Sequence, residues 1–193
     1  MKKPYVPKQN LELFLETSTS RVLNVLFIYP EKEFSLTDIA KESKVAKAHI
    51  GKILMYLEKI GFIEIIKLSK IWRIKANIQN KDFIKRKIIH NLNFIYASGL
   101  AEFLNNEFSH PRAIILFGSF RKGEDLSSSD IDIAIETDIE EYTVLKPKNL
   151  SSFENIIHRN IQLHLFNRKN VDINVFNNIA NGIIISGFLE VKP

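Results

Sequence analysis

The chain has no cysteine, one tryptophan, two methionines, seven glycines and six prolines among its 193 residues. Without thiols there can be no disulfides, no thiolate zinc sites and no cysteine nucleophile. The five histidines are scattered without paired spacing, which argues against a histidine zinc site, so any metal is expected to be a hard ion held by oxygen. No apolar run approaches the ~20 residues of a membrane-spanning helix, and Met1 to Asn10 is polar with no hydrophobic signal segment. A soluble, cytoplasmic protein with no membrane partner is the expectation. Apolar residues make up 45% of the chain, enough for one large domain or two small ones.

Charge divides the chain. Residues 1 to 110 carry 18 basic and 11 acidic side chains, whereas residues 111 to 193 carry 9 and 11. A basic half suits a polyanion, because neutralising phosphates releases counterions, and an acidic half with clustered aspartates suits a cation. Lysines also serve simply to solvate a surface, so the motifs must decide.

From Thr19 to Tyr29, the residues Val22, Leu23, Val25, Leu26 and Ile28 keep helical spacing and Pro30 ends the run. Ser35, with Asp38 three residues on, predicts a capped short helix to about Glu42. After Ser43-Lys44-Val45, residues 46 to 60 form a longer helix whose expected inward set is Ile50, Ile53, Leu54, Leu57 and Ile60, stopped by Gly61. The runs 62 to 67 and 71 to 75 are β-branched and flank a Leu68-Ser69-Lys70 turn, which predicts a hairpin.

Residues 35 to 63 resemble winged-helix transcription regulators. The resemblance implies that the third helix enters the major groove of duplex DNA, with Ala46, Lys47, Ala48, His49 and Lys52 on its outer N-terminal face. Lys47 and Lys52 are the leading contacts. For His49, an exposed imidazole touching no base is the plainer reading. Ala46 cannot supply the Ser or Thr cap usual at that position. Lys67, Lys70 and Arg73 would lie on the wing within reach of phosphate, while Trp72 is read as packing.

Residues 80 to 107 contain no proline and one glycine, Gly99. Phe83, Ile84, Ile88, Leu92, Ile95, Tyr96, Leu100, Phe103 and Leu104 recur at three- and four-residue steps, predicting one or two amphipathic helices. A stripe of that length needs a partner, either the second domain or another copy of the chain in a homodimer.

The segment 113 to 117 is an apolar strand followed by a Gly118-Ser119 turn, and 129 to 136 alternates as a second strand. Side chains at i and i+2 share a face ~6.6 to 6.8 Å apart along the backbone, so Asp130 and Asp132 can converge on one hard cation such as Mg2+ or Mn2+. Gly118 allows close backbone approach, and Ser119 at a helix start offers donors to phosphate. Gly118-Ser119-Phe120-Arg121-Lys122-Gly123, five residues, then Ser129-Asp130-Ile131-Asp132 is similar to the motif of minimal nucleotidyltransferases of the DNA polymerase β superfamily. That resemblance spans roughly residues 98 to 190. It implies that Gly118 and Ser119 bind a nucleoside triphosphate and that Asp130 and Asp132 are catalytic and hold divalent metal. The reaction implied is transfer of a nucleoside monophosphate to an acceptor hydroxyl. Lys122 keeps a positive charge that suits phosphate.

Active relatives carry a third aspartate on a later strand. Here that strand is residues 160 to 166, and Gln162 stands in the acid's place, with His164 on the same face. An amide lacks the charge to gather a second divalent ion, so replacing a bridging carboxylate weakens chemistry more than nucleotide binding. Ser151 and Glu154 predict a capping box for the preceding helix; Glu136 is expected to face solvent, and Glu124, Asp125, Asp138, Glu140 and Glu141 to be loop charge. A helix over 170 to 181 and an extended 182 to 187 close the chain.

The expected architecture is α+β with a mixed α/β second half: a winged helix-turn-helix over 1 to 78, a helical connector over 79 to 110, and a nucleotidyltransferase-like domain with a small mixed sheet over 111 to 193. The leading function is a DNA-binding protein with a metal-dependent nucleotidyltransferase-like domain. Its rivals are an inactive transcription regulator that senses nucleotide and an antitoxin-like partner of a ribonuclease.

Overall fold

The computed structural model describes residues 17–68 and 71–191. Three helices open the described chain: α1 (Ser18–Ile28), α2 (Leu36–Glu42) and α3 (Lys47–Lys59). Thr17 caps α1, and Ser35 and Asp38 form the reciprocal capping box at α2. Ala46 precedes α3 without any side-chain cap, as its methyl group dictates. Strands β1 (Ile63–Leu68) and β2 (Ile71–Ala76) pair antiparallel as the wing, and Phe34 bridges to Ile74. The expected turn residues Ser69 and Lys70 and the polar Met1 to Asn10 lie outside the described residues.

The core of this unit joins Val22, Leu26, Ile39, Ile50, Leu54, Leu57 and Ile74. Ile60 is a correction: it falls one position past the end of α3 and is exposed rather than inward. Trp72 packs against this core, with the Lys67 ammonium 4.9 Å from its ring centre.

The connector forms two helices, α4 (Lys81–Ala97) and α5 (Leu100–Glu107), split where Gly99 turns left-handed at φ 78°. The stripe finds its partners within the chain. Phe83 enters the first core against Phe27 and Phe62, while Phe94, Ile95, Leu100 and Leu104 enter the second. Tyr96, counted in the stripe by spacing, is exposed.

The second unit runs β3 (Ala113–Phe117), α6 (Gly118–Lys122), β4 (Ile131–Glu136), β5 (Thr143–Leu145), α7 (Ser151–Ile157), β6 (Ile161–Phe166), α8 (Ile173–Ala180) and β7 (Ile183–Gly187). Its mixed sheet has the order β5-β6-β4-β3-β7, with β4 and β6 parallel and the other pairs antiparallel. Alternation divides β4 between two layers: Ile131, Ile133 and Ile135 pack under α5 and α7, and Ala134 packs with Phe166 and Ile179 of α8. No described helix is long and apolar enough to cross a membrane.

Two side-chain expectations fail here. Ser151 does not cap α7, because the chain enters that helix from a 3-10 turn (Lys148–Leu150) with buried Leu150 at the cap; Glu154 instead accepts from the Ile161 N–H at 2.8 Å. Glu136 is fully buried rather than solvent-facing, paired at 3.1 Å with Arg168 of the loop that follows β6.

Candidate functional site

The site is built around the corner where β3 becomes α6. Phe117 is extended and Gly118 turns to φ 73°, a conformation that favours glycine, and a Cβ on Gly118 would collide with Oδ2 of Asp132. The glycine is therefore required twice, by its backbone angle and by the carboxylate lying against it. Register explains the contact, since Phe117 pairs with Asp132 across the β3–β4 ladder. The strand begins at Ile131 rather than Ser129, so Asp130 stands at its mouth. Ser119 lies in the first turn of α6, partly buried. A cleft of about 510 Å³ opens beside this corner, lined by Phe117, Gly118, Arg121, Lys122, Asn178 and Asn181.

Both aspartates are hydrogen-bonded from the β6 side. Asp132 pairs in register with Gln162, and Ala134 with His164. Asp130 accepts from the Gln162 amide, from the Asn160 amide at 3.1 Å and from the Lys146 ammonium at 3.2 Å. Partial burial alone would raise its pKa, but donation from Asn160, Gln162 and Lys146 outweighs it and holds the carboxyl below its ordinary range. His164 places Nε2 3.3 Å from Asp132 and receives the Tyr142 hydroxyl at Nδ1, 2.5 Å away. A neutral ring with its proton on Nε2 satisfies both contacts, donating to Asp132 and accepting from Tyr142. Burial, and the Asp132 charge after it, push the Tyr142 phenol up, so it remains a donor.

Residues 99–187 match the family model for polymerase beta nucleotidyltransferases. No curated protein matches the chain with significance. Among solved structures, NadR in complex with 4-hydroxyphenylacetate is similar at 16% identity over 52% of this chain and 71% of that one, with a TM-score of 0.36. The heme sensor protein PefR from Streptococcus agalactiae, in complex with heme, is similar at 18% identity over 53% and 63%, with a TM-score of 0.30. Similarity at that level carries no weight for either half of the molecule.

The segment that matches this family model carries the glycine-serine corner and the paired aspartates, and the donors around those aspartates do not fit a pair of divalent ions. Among the described residues no three His, Asp or Glu side chains are gathered as a metal site. The Gln162 amide donates its N–H to Asp130, the reverse of what a cation needs from a ligand.

Sequence spacing missed the partners of these carboxylates. Lys146 sits at the end of a three-residue strand too short to announce itself, and Asn160 precedes β6. It also missed a buried cluster. Asp125, expected as loop charge, is buried between Lys87 of α4 at 2.9 Å, Asn91 at 2.9 Å and Arg159 at 3.3 Å. Arg159 also donates to the Ile28 carbonyl at 2.6 Å, and Glu31 accepts from the Ser127 N–H at 3.1 Å. These bonds tie the loop before Asp130 to the end of α1.

On the first unit, Lys47, His49 and Lys52 are exposed along the outer face of α3. Lys70 lies outside the described residues. Arg73 is held by Glu33 through two bonds, at 2.5 and 2.8 Å, and remains half exposed.

Proposed function

We propose that this protein is a DNA-binding regulator whose nucleotidyltransferase domain recognises a nucleotide phosphate group rather than turning it over. The observation that carries this reading is the pairing of Asp132 with Gln162: a neutral amide occupies the strand position where a third carboxylate would bridge ions. Phosphate oxygens would meet the Gly118 and Ser119 backbone N–H groups and the Ser119 hydroxyl, with Arg121 and Lys122 of the same short helix lining the cleft beside them. Duplex DNA would be read by α3, where Lys47 and Lys52 face outward unpaired with any described acid, and supported by the wing. The basic balance of residues 1 to 110 supports the same assignment.

Enzymatic nucleotidyl transfer is the second reading, favoured by the intact contact between Gly118 and Asp132. Labelled nucleoside triphosphates with Mg2+ or Mn2+ separate the two. The regulator reading expects no label on protein or nucleic acid acceptors; transfer that Asp132→Asn abolishes would replace it with the enzyme reading. For the DNA-binding half, Lys47→Ala with Lys52→Ala is expected to weaken duplex binding and to lower the slope of log K against log salt by about 2. Unchanged binding removes α3 as the reading helix.

A further inference from the structure

The contacts of Asp130 raise a question that the proposed function leaves open, namely what neutralises the carboxylates of a polyphosphate site. Asp130 has two oxygens and both are taken: Oδ1 by Asn160, Oδ2 by Gln162 and Lys146. The Lys146 side chain is 59% exposed, but its backbone is held beside the site. Strands β5 and β6 pair antiparallel with Leu145 opposite Leu163 and Val144 opposite His164, and the pairing ends there; continued by one residue, the register would bring Lys146 opposite Gln162. On that continuation Lys146 shares a face with Gln162, His164 and Asp132, in keeping with its ammonium lying 3.2 Å from Asp130.

The backbone is fixed on the other side as well. Pro147 follows and confines Lys146 to extended conformations, and the 3-10 turn after it is anchored by Leu150, which is completely buried. A divalent ion approaching Oδ2 of Asp130 would have to displace this ammonium and then sit within a few ångströms of it. The like-charge contact would oppose metal binding, and the Gln162 amide offers no compensating negative charge.

We infer that Lys146 is a built-in monocation in the place of a metal ion, and that Lys146 together with Gln162 determines that the carboxylate pair is served by the protein's own donors instead of a divalent cation. This deepens the phosphate-recognition reading by removing its metal requirement. It assigns Lys146 a specificity role at the site that the family motif does not contain.

The test is Mn2+ binding by the full-length chain in the absence of nucleotide and DNA, followed by the loss of the free-ion electron paramagnetic resonance signal. Wild type is expected to show no saturable site that depends on Asp130. Lys146→Ala combined with Gln162→Asp, with thermal unfolding checked alongside, is expected to bind one ion at least about tenfold more tightly than wild type, and Asp130→Asn added to it should abolish the gain. Should that pair of changes unfold the chain, Lys146→Met alone keeps the stem and removes the charge, and is expected to gain about threefold. A wild-type site that Asp130→Asn removes, or a folded variant with no gain, overturns the inference. Neither result depends on whether nucleotide or DNA binds, so failure here and failure of the proposed function are read separately.

Discussion

Asp125 and Asp130 lie five residues apart in one loop and are gripped by similar sets of donors: Lys87, Asn91 and Arg159 for the first, Lys146, Asn160 and Gln162 for the second. Their environments differ. The Asp125 side chain is 1% exposed and the Asp130 side chain 21%. Even their partners are neighbours, since Arg159 reaches one aspartate and Asn160 the other. Burial converts the first set into a joint between helices and units, because an unpaired charge there has no water to fall back on. Access leaves the second at the mouth of β4, where water can replace its donors.

The largest effect that could break this contrast is on stability. Asp125→Ala leaves Lys87 and Arg159 enclosed without a carboxylate and is expected to cost about 3 to 5 kcal/mol in urea unfolding. Asp130→Ala, measured in the same way, should cost about 1 kcal/mol. Equal losses would mean that the two aspartates do the same job.

A pH profile sharpens the comparison, because His90 lies on α4 near the Asp125 cluster with its Nε2 buried and unpartnered. Burial pushes its pKa from 6.5 down to about 4, with Asp125 opposing and Lys87 and Arg159 adding to the shift. The unfolded chain therefore takes up this proton first, so stability is fully present above the unfolded value near 6.5 and is lost as pH falls from there toward 4. His90→Leu should flatten that slope in denaturant midpoints measured from pH 7 to pH 4. A slope carried entirely by other groups would leave the profile unchanged.

The smallest effect belongs to the exposed version of the same chemistry, Arg73 with Glu33. Arg73→Ala is expected to change stability by about 1 kcal/mol or less, since water screens a half-exposed pair. If the wing touches phosphate through Arg73, the same variant lowers the salt slope of DNA binding by about 1. No change in slope would leave Arg73 with Glu33 alone.

Much of the architecture was legible because it depends on neighbours in sequence. The Ser35 and Asp38 box, the three helices, the hairpin and the glycine-serine corner are each fixed within a few residues. That Gln162 and His164 share a face of β6 follows from the period of two along a strand, whereas the register that sets Gln162 opposite Asp132 does not. The clusters were not legible, since Lys87 and Asp125 are 38 residues apart and nothing local says that an ammonium on a helix will be buried. Glu136 was misjudged for a related reason. Its face of β4 changes from cleft to covered interior within four residues, as α8 and Arg168 close over it. Lys146 escaped notice because β5 is so short that only its partner strand defines it.

Helix α4 spends one end inside each half of the molecule, Phe83 against Phe27 and Phe94 among the isoleucines of the sheet. The two halves are thus less like beads on a string than two blades riveted to one shaft. A fragment cut at residue 78 would lack Phe83 and bare the rings it covers, so dissecting this protein by truncation should yield pieces that clump, and point changes are the cleaner instrument.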